Sequence, residues 1–150
     1  MTAAEVEQMR RDARHALEAQ KDPARARALA LRATEMLAVM EATPEKEADL
    51  HAGLAALWSD LDDAERAEPL IVRALELEEG FVPRRLVIFG TRHLFYAKFL
   101  FDRRRVSEAA THARDGLAIY AAGVPVGDRE LAYLRRLMAP ILRAKIPKPS

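Results

Sequence analysis

The segment LHAGLAALWSDLDDAERAEPLIVRALELEEG, residues 50–80, decides how the chain is read. Its first half carries Leu50, Leu54, Leu57 and Trp58 at helical spacing, with the small residues Ala52, Gly53, Ala55 and Ala56 between them. Its second half places Ala67, Leu70, Ile71, Ala74, Leu75 and Leu77 on one helical face. The acidic turn Asp60-Leu61-Asp62-Asp63 joins the two, so the segment reads as a pair of amphipathic helices over about 45–60 and 63–79. One hairpin of this size cannot bury its own apolar faces and needs neighbours of the same kind.

Composition agrees with helices throughout. Half of the 150 residues are apolar, and aromatics make up only 6%. An apolar content carried by alanine and leucine favours close-packed helices over a β-sandwich. The chain has no cysteine, which excludes disulfides, thiolate metal ligands and cysteine nucleophiles. The opening MTAAEVEQMRRDARHAL is charged from Glu5 onward, without an apolar core of signal-peptide length. Apolar runs are far shorter than a membrane span. These features predict a cytoplasmic protein without membrane insertion. The net charge of +1 conceals a division: residues 1–44 are neutral, residues 45–82 carry −8 and residues 83–150 carry +9.

From residue 3 to about 20, Val6, Met9, Ala13, Ala16 and Leu17 form an apolar stripe. Asp22-Pro23 supplies a cap and a first-turn proline for a second helix to about 41, with Ala26, Leu29, Ala30, Ala33, Met36, Leu37 and Met40 inward. Thr43-Pro44 restarts the chain in the same way. A fifth helix is expected over about 84–103 and a sixth over about 106–121, with Ser107 as its candidate cap. Asp128 caps a seventh, reaching about 145. Nothing reads as a strand pair.

Laid over one another, the helices repeat. Ala26, Ala30 and Ala33 recur as Ala67, Ile71 and Ala74, and again as Ala109, Ala113 and Gly116, at offsets of 41 and 42. Val82-Pro83 recurs as Val124-Pro125 at 42. Leu54-Ala55-Ala56-Leu57-Trp58 corresponds to Tyr96-Ala97-Lys98-Phe99-Leu100 and then to Met138-Ala139-Pro140-Ile141-Leu142. Small residues at fixed places let two helices approach closely, and large ones beside them fill the groove.

This pattern resembles the tetratricopeptide repeat, in the longer variety of about 42 residues found in kinesin-light-chain-like proteins. The most specific piece is Ala67-Glu68-Pro69-Leu70-Ile71-Val72-Arg73-Ala74-Leu75-Glu76, which is similar to that family's second-helix signature. Trp58 stands where the first helix usually holds an aromatic. The resemblance spans residues 3–145. The departures are Arg14 and His15 where a small residue is usual, Gly116 for alanine, and Pro140, which should kink or shorten the last helix. It implies an all-α, right-handed helical-hairpin solenoid of three helix pairs (about 3–42, 45–82 and 84–124) plus a closing helix (128–145), forming one repeat domain over 1–146 with a tail at 147–150. It also implies a scaffold or adaptor that holds a partner peptide or helix in a concave groove. Carried over, the groove wall includes Asp49, Ala52, Ala56, Ser59, Thr91, Leu94, Lys98 and Phe101, continued by Tyr133 and Arg136. Leu94 and Phe101 would supply affinity, and Lys98, Arg136 and Tyr133 polarity.

The fifth helix stands out. Its main apolar face is Leu86, Phe89, His93, Ala97 and Leu100, yet Ile88, Phe95 and Phe99 form a second stripe nearly opposite. Such a stripe is either core of a sandwiched helix or an exposed binding surface. His51 and His93 occupy equivalent repeat positions, while His15 and His112 fall at unrelated ones, and no metal-ligand spacing is present. Asp60, Asp62, Asp63 and Glu65 lack the glycine and spaced oxygens of a calcium loop and read as a solvated, capped turn, as does Arg103-Arg104-Arg105. Nucleic acid is disfavoured, because Arg135 and Arg136 point about 100° apart and the acidic middle repels a duplex. No phosphate-cradling glycine loop or nucleophile elbow is present, so neither enzyme activity, a small-molecule substrate nor a cofactor is expected. The basic half favours a protein partner bearing acidic side chains or a free carboxylate. A chaperone or secretion-partner role for a specific client, and homo-oligomer formation by a self-assembling solenoid, are the alternatives.

Overall fold

The computed structural model describes residues 1–144, and the expected tail at 147–150 lies outside them. Among the described residues the chain is all-α, with seven helices and one isolated bridge between Thr2 and Glu41. It divides into two compact units, Met1–Glu78 and the remainder from Glu79 onward.

The first unit holds α1 (Ala3–Glu18), α2 (Pro23–Leu37), α3 (Pro44–Asp60) and α4 (Ala64–Glu79). Each start is written in the sequence. Thr2 and Glu5 form a reciprocal capping box on α1. Asp22 accepts from the Arg25 N–H at 3.0 Å, ahead of Pro23. Thr43 accepts from the Lys46 N–H at 3.3 Å, ahead of Pro44. Asp63 accepts from the Arg66 N–H at 3.2 Å. The second helix ends at Leu37 rather than near Glu41. The Val39 N–H turns back to the Met36 carbonyl at 3.1 Å, so Met40 lies past the helix.

Close approach of α1 and α2 rests on alanine: Ala13 and Ala16 on one, Ala26, Ala30 and Ala33 on the other, are all fully buried. Trp58 fills the space that such small residues leave. Its ring is fully buried, and its indole N–H donates to the Thr34 hydroxyl at 2.9 Å, which itself donates to the Ala30 carbonyl at 2.7 Å. Arg27 and Arg66 each place a guanidinium carbon 5.3 Å from the Trp58 ring centre, and both reach the Asp63 carboxylate, at 2.9 and 2.8 Å. Burial alone would push the Asp63 carboxyl up. Hydrogen bonds from the Arg66 side chain and backbone, and from Arg27, outweigh it and hold the group below the ordinary carboxylate range. The acidic turn is therefore an organised junction between α2, α3 and α4. Arg14 of α1 also reaches it, through Asp60.

The second unit holds α5 (Leu86–Asp102), α6 (Val106–Ala122) and α7 (Arg129–Arg143), each in contact with the other two. The α5–α6 crossing is set by two glycines. A Cβ on Gly90 would lie 2.8 Å from the Tyr120 nitrogen and 2.9 Å from the Gly116 oxygen. A Cβ on Gly116 would lie 2.7 Å from a Leu94 methyl and 2.9 Å from the His93 Cβ. The glycine at position 116, where the resemblance led to the expectation of alanine, thus has a steric cause. Ser107 does not cap α6: Arg105 takes the N-cap position without a side-chain cap bond, and its guanidinium pairs with Glu108 at 2.8 Å. Asp128 caps α7 through the Leu131 N–H at 2.9 Å. That helix runs through Pro140 and ends at Arg143.

Two substitutions test these packing arguments by urea unfolding followed by circular dichroism. Gly116→Ala is expected to lower stability by about 1–3 kcal/mol, because the added methyl meets backbone and Cβ atoms that cannot swing away. Thr34→Val is expected to cost about 1–3 kcal/mol by leaving the buried Trp58 N–H without its acceptor.

Candidate functional site

Helix α5 is buried around more than half its circumference, by Phe89, Gly90, Leu94, Tyr96, Ala97, Phe99 and Leu100. What remains outside is one continuous strip, with Val87 exposed at its edge. Ile88, Thr91, Phe95, Lys98 and Asp102 follow at intervals of three and four residues, and all five are exposed. Ile88 and Phe95 are each 38% exposed, whereas Phe99 is 3% and Leu94 4% exposed.

The two groups of residues read from sequence are thereby redistributed. Of the second stripe, Ile88 and Phe95 face outward. Phe99 is packed with Tyr96, their ring centres 6.1 Å apart, and beneath Arg103, whose guanidinium lies 3.6 Å from its centre and donates to the Phe99 carbonyl at 2.9 Å. Of the groove residues, Thr91 and Lys98 join the same outward strip. Leu94 is turned against Gly116, and Phe101 is half-buried. Tyr133 and Arg136 are exposed together on α7. Asp49, Ala56 and Ser59 belong to α3 of the first unit, Asp49 exposed and the other two half-buried.

The strip combines apolar area with modest charge. The Thr91 hydroxyl donates to the Val87 carbonyl at 2.7 Å. Lys98 pairs with Asp102 at 3.5 Å. Sequence reasoning passed over Asp102, although its spacing of four residues from Lys98 is the signature of a helical ion pair. At the strip's N-terminal end a shallow depression is lined by Arg84, Arg85, Leu86, Val87, Ile88 and Gly123. Arg84 is engaged with Glu79 at 2.9 Å, and Arg85 lies over the Phe81 ring.

His112 is not isolated, contrary to its position in the sequence. The glycine-mediated crossing brings its Nδ1 to 2.9 Å from the Nδ1 of His93, the rings stacked with centres 5.2 Å apart. Phe89 and Tyr96 pack against this pair at 4.8 and 4.6 Å. One Nδ1–H donates while the other Nδ1 accepts, so the contact requires a neutral acceptor ring. Burial lowers the pKa of both, and for His93 the neighbouring His112 adds to it. Asp115 opposes the shift in both rings, with Glu79 on His93 and Glu108 on His112. Among the described residues, no group of three or more His, Asp or Glu side chains is placed to hold a metal ion, and no helix is long and apolar enough to cross a membrane.

No protein-family model matches the chain, and neither does any curated protein.

The histidine pair gives a pH signature with a definite sign. Both folded-state pKa values lie below the unfolded value of about 6.5, so between them the unfolded chain binds more protons. Stability is therefore fully present above about pH 6.5 and is lost as pH falls through the depressed folded-state values. Urea midpoints measured from pH 7.5 down to 5.5 are expected to decline, and to decline less in His112→Gln. Equal slopes in both proteins would show that the pair stays unstrained on protonation.

Proposed function

We propose that this chain is a tetratricopeptide-type protein-interaction module, a cytoplasmic adaptor that docks a segment of another protein against the outward strip of α5. The observation that carries the reading is the exposure of Ile88 and Phe95, with Val87 beside them, on a helix whose Phe89, Leu94, Tyr96, Phe99 and Leu100 are buried. A helix held from both flanks presents such a strip rigidly, so little order has to be imposed on binding. Two half-exposed apolar side chains separated by two turns match the anchor spacing of a helical or extended ligand. Thr91 and Lys98 edge them with polar groups, and Lys98 favours an acidic side chain or a terminal carboxylate in the partner.

The family assignment draws support from the residues that recur at 41 and 42 positions, all but Ile71 small. Ala26, Ala30, Ala33, Ala67, Ile71, Ala74, Ala109, Ala113 and Gly116 are all buried, as hairpin-contact positions of a repeat should be. The reading gives the chain no catalytic residue, metal, cofactor or small-molecule substrate. It assigns the binding energy to apolar contact and uses charge for orientation.

The test separates surface from core on the same helix. Ile88→Ser/Phe95→Ser is expected to abolish capture of partners retained by the unaltered protein, while changing unfolding free energy by less than about 1 kcal/mol. Phe99→Ala is expected to cost about 3–5 kcal/mol through a core cavity. Undiminished capture by the Ile88/Phe95 variant would remove α5 from the interface.

A further inference from the structure

The closing helix α7 carries a second outward face that the α5 strip does not use. Tyr133, Leu137 and Pro140 form an exposed apolar column at helical spacing, with Tyr133 49% and Leu137 44% exposed. Alongside it runs a basic column, Arg129, Arg136 and Arg143, each two turns from the next and all exposed. The buried side of the helix is separate and consists of Leu131, Met138 and Ile141. A regular apolar column bordered by regular cations is the pattern of a helix face made to meet an acidic, partly apolar one.

Such a surface occurs on this same chain. On the outer side of α4, a shallow groove is lined by Glu65, Glu68, Pro69, Val72 and Glu76, together with Ala64 and Arg73. Pro69 and Val72 supply apolar contact, and the three glutamates follow at intervals of three and eight residues along one side of the helix. Arg73 is already engaged with Glu47 and Glu76, at 3.5 and 3.6 Å. The two faces are thus complementary in sign, and the eight residues from Glu68 to Glu76 come near the seven between successive arginines.

We propose that α7 of one molecule docks on α4 of a second copy of this chain, a head-to-tail contact in which Arg129, Arg136 and Arg143 meet Glu65, Glu68 and Glu76 around an apolar centre. The contact is heterologous, so each molecule in the assembly offers one basic and one acidic face. Exposed ion pairs each contribute little and are screened by salt, so the association is weak and salt-sensitive. The inference is independent of the α5 reading, because the two use different residues.

A charge-swap experiment by analytical ultracentrifugation tests it at low and high salt. The unaltered protein is expected to self-associate at about 100 μM, with an affinity about tenfold weaker in 0.5 M salt. Arg136→Glu/Arg143→Glu, acidic on both faces, should be monomeric, and so should Glu65→Arg/Glu76→Arg, basic on both. Mixing the two variants should restore association, since each then offers the face that the other lacks. All four positions are exposed, so circular dichroism should show native helix content in each variant. A monomeric unaltered protein, variants that still associate alone, or a mixture that stays monomeric would overturn the proposal. Loss of self-association with retained partner capture would leave the α5 reading standing.

Discussion

Backbone approach at small residues is the constraint on which the rest of this structure depends. Where Ala13 and Ala16 meet Ala26, Ala30 and Ala33, no side chain holds the helices apart, and Trp58 can fill the flank. Where Gly90 meets Gly116, the approach is closer still: a methyl on Gly90 would collide with backbone atoms of α6, and one on Gly116 with the Leu94 side chain and the His93 Cβ. From these contacts follow the burial of Leu94, the meeting of His93 with His112, and the side of α5 left outside. Dispersion between well-fitted surfaces is weak per atom and large in sum, so a crossing fixed this tightly leaves few alternative registers.

The polar network of the first unit depends on the same geometry. Thr34 can accept from Trp58 only because α2 and α3 are close, and Asp63 can hold Arg27 and Arg66 together only because three helices converge at its turn. A residue that reads as an ordinary acidic cap is therefore a junction, and its lowered pKa reflects the two guanidinium groups that it organises.

Helix existence and start points were largely legible in the sequence, because caps such as Asp22-Pro23 and Thr43-Pro44 are local chemistry. The buried alanine positions were legible too, through their recurrence at 41 and 42 residues. Contacts set by the third dimension were not. Phe99 and Phe95 are four residues apart and alike in type, yet one is core and the other surface. The difference lies in what packs beside α5, which no periodicity records. His112 read as isolated for the same reason: its partner is 19 residues away and is brought to it by a glycine crossing. Ser107 was misread as a cap because a serine near a helix start is a common signal, whereas here the turn closes two residues earlier, on Arg105.

The division of α5 into a buried majority and an exposed Ile88–Phe95 strip is the claim on which the functional reading stands. Hydroxyl-radical footprinting of the native protein, read residue by residue by mass spectrometry, tests it most directly. The account expects Phe95 to be oxidised several times faster than Phe99 and Phe89, with Tyr133 reactive and Trp58 and Tyr96 protected. Comparable oxidation of Phe95 and Phe99 would contradict it.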